Sequence, residues 1–351
     1  MKDDLIKIVE AGILAPSGDN CQPWKFRLCG NNQIDVFNIP ERDTSLYSWE
    51  QRPSLIAIGA VIENMTIAAE HYGYSAKAEY FPNEEKNLIA SIEFSKNSNA
   101  SDSLFQAIFH RSTNRKPYKE KSLTEEEKGV LREAAHDRLP HGLHLIDYGP
   151  SKRRFGRAVA LNEKILFENE FLHRFFYEHI NWKRREGEKG RLGFYIKELE
   201  IPAPIIPIFR LFGKWNLLKR IQRLRIGDLL AKSNARIYSS AGAVGCIAID
   251  ANTPESFITA GRVFERVWLA ATSLNLSLQP LTGILFLRHR VHAGCDDLSD
   301  LHQKIVRYAY SEIEQVFDLD GKNKTIAMAF RIGHGSRPTA RSLRLPANIY
   351  A

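Results

Sequence analysis

The chain has 351 residues, which is enough for one large domain or two ordinary ones. Hydrophobic residues make up 44% of it and charged residues 26%, a composition that is typical of a soluble globular protein and excludes a largely disordered one. The sequence opens on polar residues without an apolar leader. Its longest apolar run, at 201–209, contains three prolines and is too short to span a bilayer. We therefore expect a cytoplasmic protein.

The first predicted element is a helix over residues 3–14, followed by a loop, residues 15–24, that is rich in groups able to contact a ligand. Pro16 stops the helix, and Gly18 allows the backbone to approach a ligand closely. The side chains of this loop that can form hydrogen bonds include those of Ser17, Asn20 and Gln22. A ligand-binding loop and a plain polar turn between a helix and a strand both fit this pattern.

Two later segments, 54–69 and 256–271, have helical periodicity and align with each other without a gap, with seven identical pairs. Each has a glycine in its middle, Gly59 or Gly261, although a glycine inside a helix costs about 1 kcal/mol relative to alanine. We therefore expect the two helices to approach each other closely at these glycines, as at a dimer-like interface.

Between the two aligned segments lies 110–115, which combines arginines with a hydroxyl and an amide. Arginine suits phosphate binding because its planar guanidinium can contact two oxygens at once. A cluster of charges on the surface is the alternative interpretation. The next segment, 124–135, is predicted to be a helix because Thr124 and Glu127 form a capping box. The residues of interest in the first segment are Arg111, Ser112, Asn114 and Arg115.

The segment 151–236 has no counterpart in the first half of the chain, and it is predicted to be helical over 152–179 and 216–236. Between residues 183 and 236 there are fourteen Lys and Arg against five Asp and Glu, while the whole chain has a net charge of +8. We expect a solvated basic face here, with a nucleic acid or an anionic membrane as the alternative contacts. The apolar side chains expected to pack inward are those of Ile221, Leu224, Leu229 and Leu230.

Two further segments carry candidate binding residues. Residues 279–283 follow the second aligned helix and include Leu281, Thr282 and Gly283, although a turn that leads into a strand would also fit. Near the C-terminus, residues 341–346 contribute two more arginines. These are Arg341 and Arg344.

Three of these regions together resemble a known family. Residues 15–24 resemble the nitroreductase-family signature APS-x-x-N-x-QPW, and residues 110–115 resemble its R-R-S-x-R element. Residues 329–346 are similar to its closing R-x-G strand and trailing R-x-x-R-L-P element. The first signature occurs only in the first half and the arginines only in the second. This distribution resembles the Acg-type branch of the family, in which one chain imitates a dimer and an internal segment covers the flavin.

The resemblance implies an α+β, nitroreductase-like fold, with mixed β-sheets flanked by helices and two pseudo-dimer halves in one chain. Residues 1–100 would form the first half, and residues 101–150 with 237–351 would form the second. Residues 151–236 would form a basic helical insert that could act as a lid.

The resemblance also implies bound FMN. Arg111 and Ser112 would contact its phosphate, Arg344 would complete the anion site, and a backbone N–H near Gly283 would face the reactive N5 edge. One extra residue separates Ser112 from the next arginine, so either Asn114 or Arg115 could reach the phosphate. The expected FMN contacts are Pro16, Ser17, Gly18, Asn20, Gln22, Arg111, Ser112, Asn114, Arg115, Leu281, Thr282, Gly283, Arg341 and Arg344.

The implied function is that of an FMN-dependent oxidoreductase, which passes hydride from NAD(P)H through flavin N5 to an electron-poor acceptor such as a nitroaromatic or a quinone. An FMN-sequestering protein with a lid-covered flavin is the alternative. No side chain stands out as a catalytic acid, base or nucleophile, and no metal-ligand pattern is visible. The expected partners are the small-molecule acceptor and NAD(P)H, with neither nucleic acid nor membrane. The chain would be a monomer that imitates a dimer, or a further homodimer.

Overall fold

The computed structural model describes residues 2–97 and 102–350, so the expected boundary between residues 100 and 101 lies outside the described residues. The helices of the described residues are α1 (Lys2–Gly12), α2 (Arg52–His71), α3 (Phe105–His110), α4 (Glu125–His136), α5 (Gly149–Glu168), α6 (Glu170–Glu178), α7 (Arg184–Glu188), α8 (Ile206–Phe212), α9 (Trp215–Ile221), α10 (Ile226–Ser239), α11 (Pro254–Ser273), α12 (Gly283–His292) and α13 (Asp300–Val316). The strands are β1 (Trp24–Cys29), β2 (Gln33–Asn38), β3 (Tyr74–Tyr80), β4 (Leu88–Lys96), β5 (Leu143–Ile146), β6 (Ile180–Asn181), β7 (Phe194–Tyr195), β8 (Ala243–Ile249), β9 (Ser277–Pro280), β10 (Thr325–Gly333) and β11 (Ile349–Tyr350).

The two larger sheets belong to different halves of the chain. A five-stranded sheet has the order β11-β1-β2-β4-β3, and a four-stranded antiparallel sheet has the order β5-β8-β10-β9. The C-terminal strand β11 pairs parallel with β1, with Phe26 opposite Ile349, while the other pairs of the five-stranded sheet are antiparallel. The expected α+β class with mixed sheets is therefore confirmed, and β11 joins the end of the chain to the sheet of the first half.

The helices α2 and α11 pack against each other at the two glycines of the aligned segments. A Cβ atom on Gly59 would overlap the carbonyl oxygen of Ile258, and a Cβ atom on Gly261 would overlap that of Ile56. The contact is reciprocal, because the alignment pairs Gly59 with Gly261 and Ile56 with Ile258. The expected close approach of the two helices is confirmed, since only glycine leaves room for a backbone at this distance.

The other predicted helices also form, with shifted ends. The segment 3–14 corresponds to α1, and 124–135 corresponds to α4. The capping box at the start of α4 is complete, because Thr124 Oγ1 accepts from the Glu127 N–H at 3.2 Å and the Thr124 N–H donates to Glu127 Oε2 at 2.8 Å.

The segment 151–236 packs into the body of the protein. The helix predicted over 152–179 is divided at Asn169 into α5 and α6, and the helix predicted over 216–236 is divided by a short turn into α9 and α10. The long helices α5 and α10 run antiparallel in close contact, with Gly156 of α5 against Ala235 and Ser239 of α10. Their buried side chains share one hydrophobic cluster with α12, α13 and β8. A second cluster contains α1, α2, α11 and the remaining faces of the two sheets.

One prediction for this segment is wrong in part. Ile221 and Leu230 are partly buried against the hydrophobic cluster, as expected. Leu224 and Leu229, however, are 63% and 60% exposed. Leu224 lies in a short turn between α9 and α10, and that turn ends at Arg225 with a positive φ of 52°. The single helix expected over 216–236 is divided at this turn, so the inward face expected for it is not kept across residues 222–225.

Within residues 2–97 and 102–350, none of the helices combines the length and the apolar character that crossing a bilayer requires.

Candidate functional site

A cavity of about 500 Å³ lies where three parts of the chain meet. The loop after α1 and the N-terminal half of α2 form one side, α11 and the β9–α12 connection form the second, and α5, α6, α8 and α10 form the third. Its volume is within the range of small-molecule sites. The aromatic side chains of its lining suit a flat, conjugated ligand. They include Tyr47, Phe175, Phe194, Phe209, Trp268 and Phe286.

Half of the residues expected to contact a cofactor line this cavity. They come from the first-half loop, from the segment before α4 and from the β9–α12 connection, which are far apart in the chain. The residues are Pro16, Ser17, Gly18, Arg115, Leu281, Thr282 and Gly283. The expected residues outside the lining are Asn20, Gln22, Arg111, Ser112, Asn114, Arg341 and Arg344.

The loop after α1 has an unusual backbone that its own polar side chains stabilise. Asp19, Asn20 and Gln22 all have positive φ, at 47°, 56° and 49°. Such values are rare for residues other than glycine and cost of order 1–3 kcal/mol each. The Gln22 N–H donates to Ser17 Oγ at 3.0 Å, and the Gln22 side-chain oxygen accepts from the Leu345 N–H at 2.8 Å. The loop is therefore held in shape against the C-terminal segment.

Asn20 connects three separate segments. Its amide donates to the carbonyl oxygens of Gly193 and Leu343 at 2.8 and 3.0 Å, and its oxygen accepts from Arg344 Nη1 at 2.7 Å. Asn20 thus joins the first-half loop to the insert and to the C-terminal arginine. The structure gives Asn20 and Gln22 positioning roles behind the part of the loop that lines the cavity.

Three arginines meet behind this loop. Arg111 Nη2 donates to the Leu14 carbonyl at 2.6 Å, and Arg344 Nη2 donates to the Ala15 carbonyl at 2.9 Å. Arg341 Nη2 donates to the carbonyl of Arg111 at 2.8 Å. Burial, with the charge of Arg111 as the second cause, lowers the pKa of Arg344 to about 9. An anion bound beside these guanidiniums would offset the repulsion between them.

Arg111 also links the arginine cluster to the cavity. Its guanidinium lies 4.6 Å from the ring centre of Trp268, and the Trp268 side chain lines the cavity. Its Nε lies 3.1 Å from Oε1 of the fully buried Glu265. Burial raises the pKa of Glu265 to about 7, although the positive charge of Arg111 opposes the shift.

The structure distinguishes between Asn114 and Arg115. The Asn114 amide nitrogen donates to Ser277 Oγ at 2.8 Å and to the Ser336 carbonyl at 2.7 Å, and its oxygen accepts from the Lys116 N–H at 3.1 Å. These contacts are internal. Arg115 lines the cavity, and its Nη1 donates to the Glu198 carbonyl at 3.1 Å. Arg115 is thus the residue of the two that faces a ligand space.

Sequence reasoning missed the acidic groups of the cavity. Asp19, Asp43 and Glu163 all line it. Burial raises the pKa of Asp19 to about 6, with the charges of His179 and Arg115 opposing the shift. Asp19 lies inside the quoted loop signature, at a position that the signature leaves free. It could have been suspected only from its neighbours.

Glu163 comes from the insert, for which no motif was available. Its Oε1 accepts from the Tyr238 hydroxyl at 2.5 Å, and its Oε2 is buried without a hydrogen-bond partner in the described part of the chain. Burial raises the pKa of Glu163 to about 7. The carboxyl therefore titrates near neutral pH beside an aromatic cavity.

The insert also reaches the β9–α12 connection. A Cβ atom on Gly283 would overlap the side-chain amide of Asn162 in α5, so that side chain packs directly on the Gly283 backbone. Asn162 Oδ1 also accepts from the Tyr47 hydroxyl at 3.0 Å. One insert side chain thus contacts both other sides of the cavity.

Fold and site together define an α+β protein with an aromatic cavity beside a cluster of three arginines, of which Arg111 is buried and Arg344 partly buried. No family model matches the sequence. The chain is 26% identical over 286 residues to PigM of Serratia sp., a protein named as an NAD(P)H nitroreductase, and the match covers 77% of each chain. It is 32% identical over 124 residues to acg of Mycobacterium tuberculosis, also named as an NAD(P)H nitroreductase, over 33% of this chain and 37% of that protein.

An uncharacterized protein of Mycobacterium tuberculosis is 22% identical over 347 residues, which are 96% of this chain and 46% of that protein. The chain therefore spans about half the length of this relative. Among solved structures, the FMN-dependent nitroreductase NfnB of Mycobacterium smegmatis, in complex with NADPH, matches 66% of this chain and 86% of its own at 15% identity, with a TM-score of 0.34. The chain is thus similar over 77% of its length to one protein named as an NAD(P)H nitroreductase, and over 33% of its length to a second.

Proposed function

We propose that the chain is an FMN-dependent oxidoreductase that takes hydride from NAD(P)H and passes it to an electron-poor acceptor such as a nitroaromatic or a quinone. The observation that carries this proposal is the meeting of residues 15–22 with Arg111 and Arg344 next to an aromatic cavity. Sequence relatives named as NAD(P)H nitroreductases support the same class of reaction.

The residues of the site fit FMN at both ends of the molecule. Arg344 is partly buried and burial lowers its pKa, and the charges of Arg111 and Arg341 lower that pKa further, so the cluster favours a phosphate. The cavity beside it offers an apolar, aromatic lining for the ring. In this proposal the arginines hold the phosphate, and the loop at residues 16–18 lies between it and the ring.

FMN, when bound, would supply the hydride chemistry, and the protein would supply binding, orientation and the exclusion of water. The backbone near Gly283 would face the reactive edge, as the family resemblance implies. Asn162 would fix that backbone from the insert side, because its amide packs on Gly283. Asp19 and Glu163 add two carboxyl groups to the same cavity, and burial raises their pKa values to about 6 and about 7.

A second function is supported by the position of the insert. α5, α6, α8 and α10 all contribute to the lining, and Asn162 occupies the space over Gly283. If this arrangement persists with FMN bound, a nicotinamide could not reach the flavin. The protein would then sequester FMN.

Anaerobic stopped-flow mixing of the FMN-loaded protein with NADPH separates the two functions. Rapid bleaching of the visible flavin band is the result expected for a reductase. Bleaching by dithionite but not by NADPH or NADH would instead support sequestration. A protein that takes up no FMN at all would contradict both.

The phosphate assignment is tested by two variants, Arg344→Ala and the pair Arg111→Ala with Glu265→Gln, where the second change avoids an unpaired buried carboxylate. Each lost charge-assisted contact should weaken FMN binding by roughly 1.5–3 kcal/mol, measured by fluorescence titration. Arg138→Ala is the matched control, because Arg138 pairs with the buried Glu63 outside the cavity lining. Unchanged affinity in both site variants would refute the assignment.

A further inference from the structure

The short helix α8 has apolar side chains on all sides, but only one side of the helix packs against the protein. Its sequence, with Ile205 before it, contains a single charged residue, Arg210. Ile206, Phe209 and Phe212 pack against the hydrophobic cluster of the insert. A helix that is apolar all round is normally enclosed on every side. We therefore expect the outer side of α8 to contact a partner.

Three large apolar side chains form the outer side of α8. Ile205, Ile208 and Leu211 are 48%, 54% and 46% exposed, and their three-residue spacing places them along one face, which we name the apolar row. Leu224, in the turn before α10, is exposed as well. Single exposed apolar residues are ordinary, but a contiguous group of them marks an interaction surface.

The segment that carries the apolar row has charges of one sign. Residues 201–227 contain six basic residues and no acidic one. Arg210 lies 5.2 Å from the ring centre of Trp182, and Arg225 pairs with Asp228. The other four are exposed and have no ion-pair partner within residues 2–97 and 102–350. They are Lys214, Lys219, Arg220 and Arg223.

An apolar row flanked by unpaired cations matches the surface of an anionic bilayer. Apolar side chains enter the boundary between headgroups and acyl chains, and Lys and Arg contact lipid phosphates. A nucleic acid would use the cations but not the exposed Ile and Leu side chains. The aromatic rings that could stack on bases are not available, since Trp215 is buried and Phe209 and Phe212 face the core.

We propose that residues 201–225 bind the surface of an anionic lipid bilayer, with the apolar row inserted and the basic side chains on the headgroups. This differs from the sequence-based expectation of a solvated basic face without a membrane partner. The surface also borders the cavity, because Ile205 belongs to both the apolar row and the cavity lining. A bilayer bound at this surface would lie next to the cavity.

Co-sedimentation of the full chain with vesicles tests the proposal. We expect binding to vesicles of phosphatidylcholine and phosphatidylglycerol in equal parts, and much weaker binding to phosphatidylcholine alone. The variant Ile205→Ser/Ile208→Ser/Leu211→Ser should reduce the partition coefficient more than about tenfold, because it removes the inserted groups. Leu301→Ser, which changes an exposed leucine on α13, is the matched control and should bind like the unchanged chain.

A second variant tests the charges. Lys219→Gln/Arg220→Gln/Arg223→Gln should lower binding to the anionic vesicles roughly a hundredfold, since each basic residue near such a surface contributes about 1 kcal/mol. Circular dichroism melting of each variant checks that the fold is kept, and all of the changed side chains are exposed.

Four outcomes would overturn the proposal. The first is no binding of the unchanged chain to anionic vesicles. The second is binding that survives loss of the apolar row at full strength, which would indicate simple charge attraction. The third is tight, steeply salt-dependent binding to nucleic acid without vesicle binding. A dimer that dissociates when the apolar row is changed, again without vesicle binding, would assign the surface to a second copy of the chain.

Discussion

Glu63 and Glu265 occupy aligned positions in α2 and α11, and both side chains are fully buried, yet their surroundings differ. Glu63 forms ion pairs with three arginines, at 2.9 Å to Arg138, 2.9 Å to Arg262 and 2.8 Å to Arg266. These charges lower its pKa against the effect of burial. Among residues 2–97 and 102–350, Glu265 has one such partner, Arg111, and its pKa is raised.

The alignment explains how the difference arises. The positions of Arg262 and Arg266 in α11 correspond to Ala60 and Asn64 in α2. Arg262 fills the space around Glu63, whereas Ala60 is small and lines the cavity. Asn64, with its amide nitrogen turned to the carboxylate, donates to Glu265 at 3.2 Å. The two helices therefore match at their glycines but differ at their glutamates. The surroundings of Glu63 are filled by ion pairs, whereas the small Ala60 on the other side leaves room for the cavity.

This contrast supports the proposal of a single flavin site in a chain that imitates a dimer. A cavity needs small residues where its counterpart has large ones, and it needs cations that are free to meet a ligand. The side at Glu63 has neither feature, because its three arginines are engaged with a carboxylate. The side at Glu265 has the small Ala60, and although Arg111 pairs with Glu265, neither Arg341 nor Arg344 forms an ion pair with a carboxylate among the described residues.

The strongest way to test the comparison is to remove one arginine from each carboxylate. In flavin-free protein at pH 8, Arg111→Ala should lower the free energy of unfolding by about 3–5 kcal/mol, because it leaves Glu265 buried without a charged partner. Arg138→Ala should cost about 1 kcal/mol or less, since Arg138 is part exposed and two arginines remain at Glu63. Urea unfolding monitored by circular dichroism measures both.

Adding Glu265→Gln to Arg111→Ala should restore most of the lost stability, because the buried charge is then absent. Equal losses for Arg111→Ala and Arg138→Ala would show that the two carboxylates are equally well paired, and the comparison would fail.

The pH dependence of stability should have opposite signs at the two sites. Glu265 has an ordinary pKa of 4.5 and a folded pKa of about 7, so between these values the folded state holds a proton that the unfolded state has released. The free energy of unfolding therefore falls as pH rises from 4.5 to 7, by up to about 3 kcal/mol from this residue. Glu63, with a lowered pKa, contributes stability above pH 4.5 that is lost as pH falls further.

Urea titrations across this range on the unchanged chain and on Glu265→Gln isolate the contribution of Glu265. The variant should have a flatter profile between pH 4.5 and 7, while Glu63→Gln should keep the slope in that window. A Glu265→Gln profile parallel to that of the unchanged chain would rule out the raised pKa.

The sequence predicted the α+β class, the close approach at Gly59 and Gly261, and the capped helix α4, because each depends on local spacing or on a residue with one dominant physical property. It could not predict that Leu224 faces outward, since Leu224 lies in a turn that divides the single helix expected over 216–236. Propensity alone does not locate such a turn.

For the candidate site, the motifs indicated which loops converge, and the structure brings residues 15–22 to Arg111 and Arg344. Motifs say nothing about side chains from a segment without a counterpart. Glu163, Asn162 and Tyr238 come from such a segment, and only tertiary packing brings them to the cavity. The internal hydrogen bonds of Asn114 could not be predicted either, because its partners lie far away in the chain.

The smallest expected effects concern the two glycines, where the halves should behave alike. Gly59→Ala and Gly261→Ala should each lower the free energy of unfolding by about 1–3 kcal/mol, because the new Cβ meets a backbone carbonyl of the facing helix and this outweighs the gain in helix propensity. Gly129→Ala in α4, where nothing lies within 4 Å, is the control and should stabilise the protein by up to about 1 kcal/mol. Thermal unfolding of the three variants measures this. A large loss of stability for one of Gly59→Ala and Gly261→Ala and none for the other would mean that the contact between α2 and α11 is not reciprocal. Glu63 and Glu265 could then not be compared as equivalent positions.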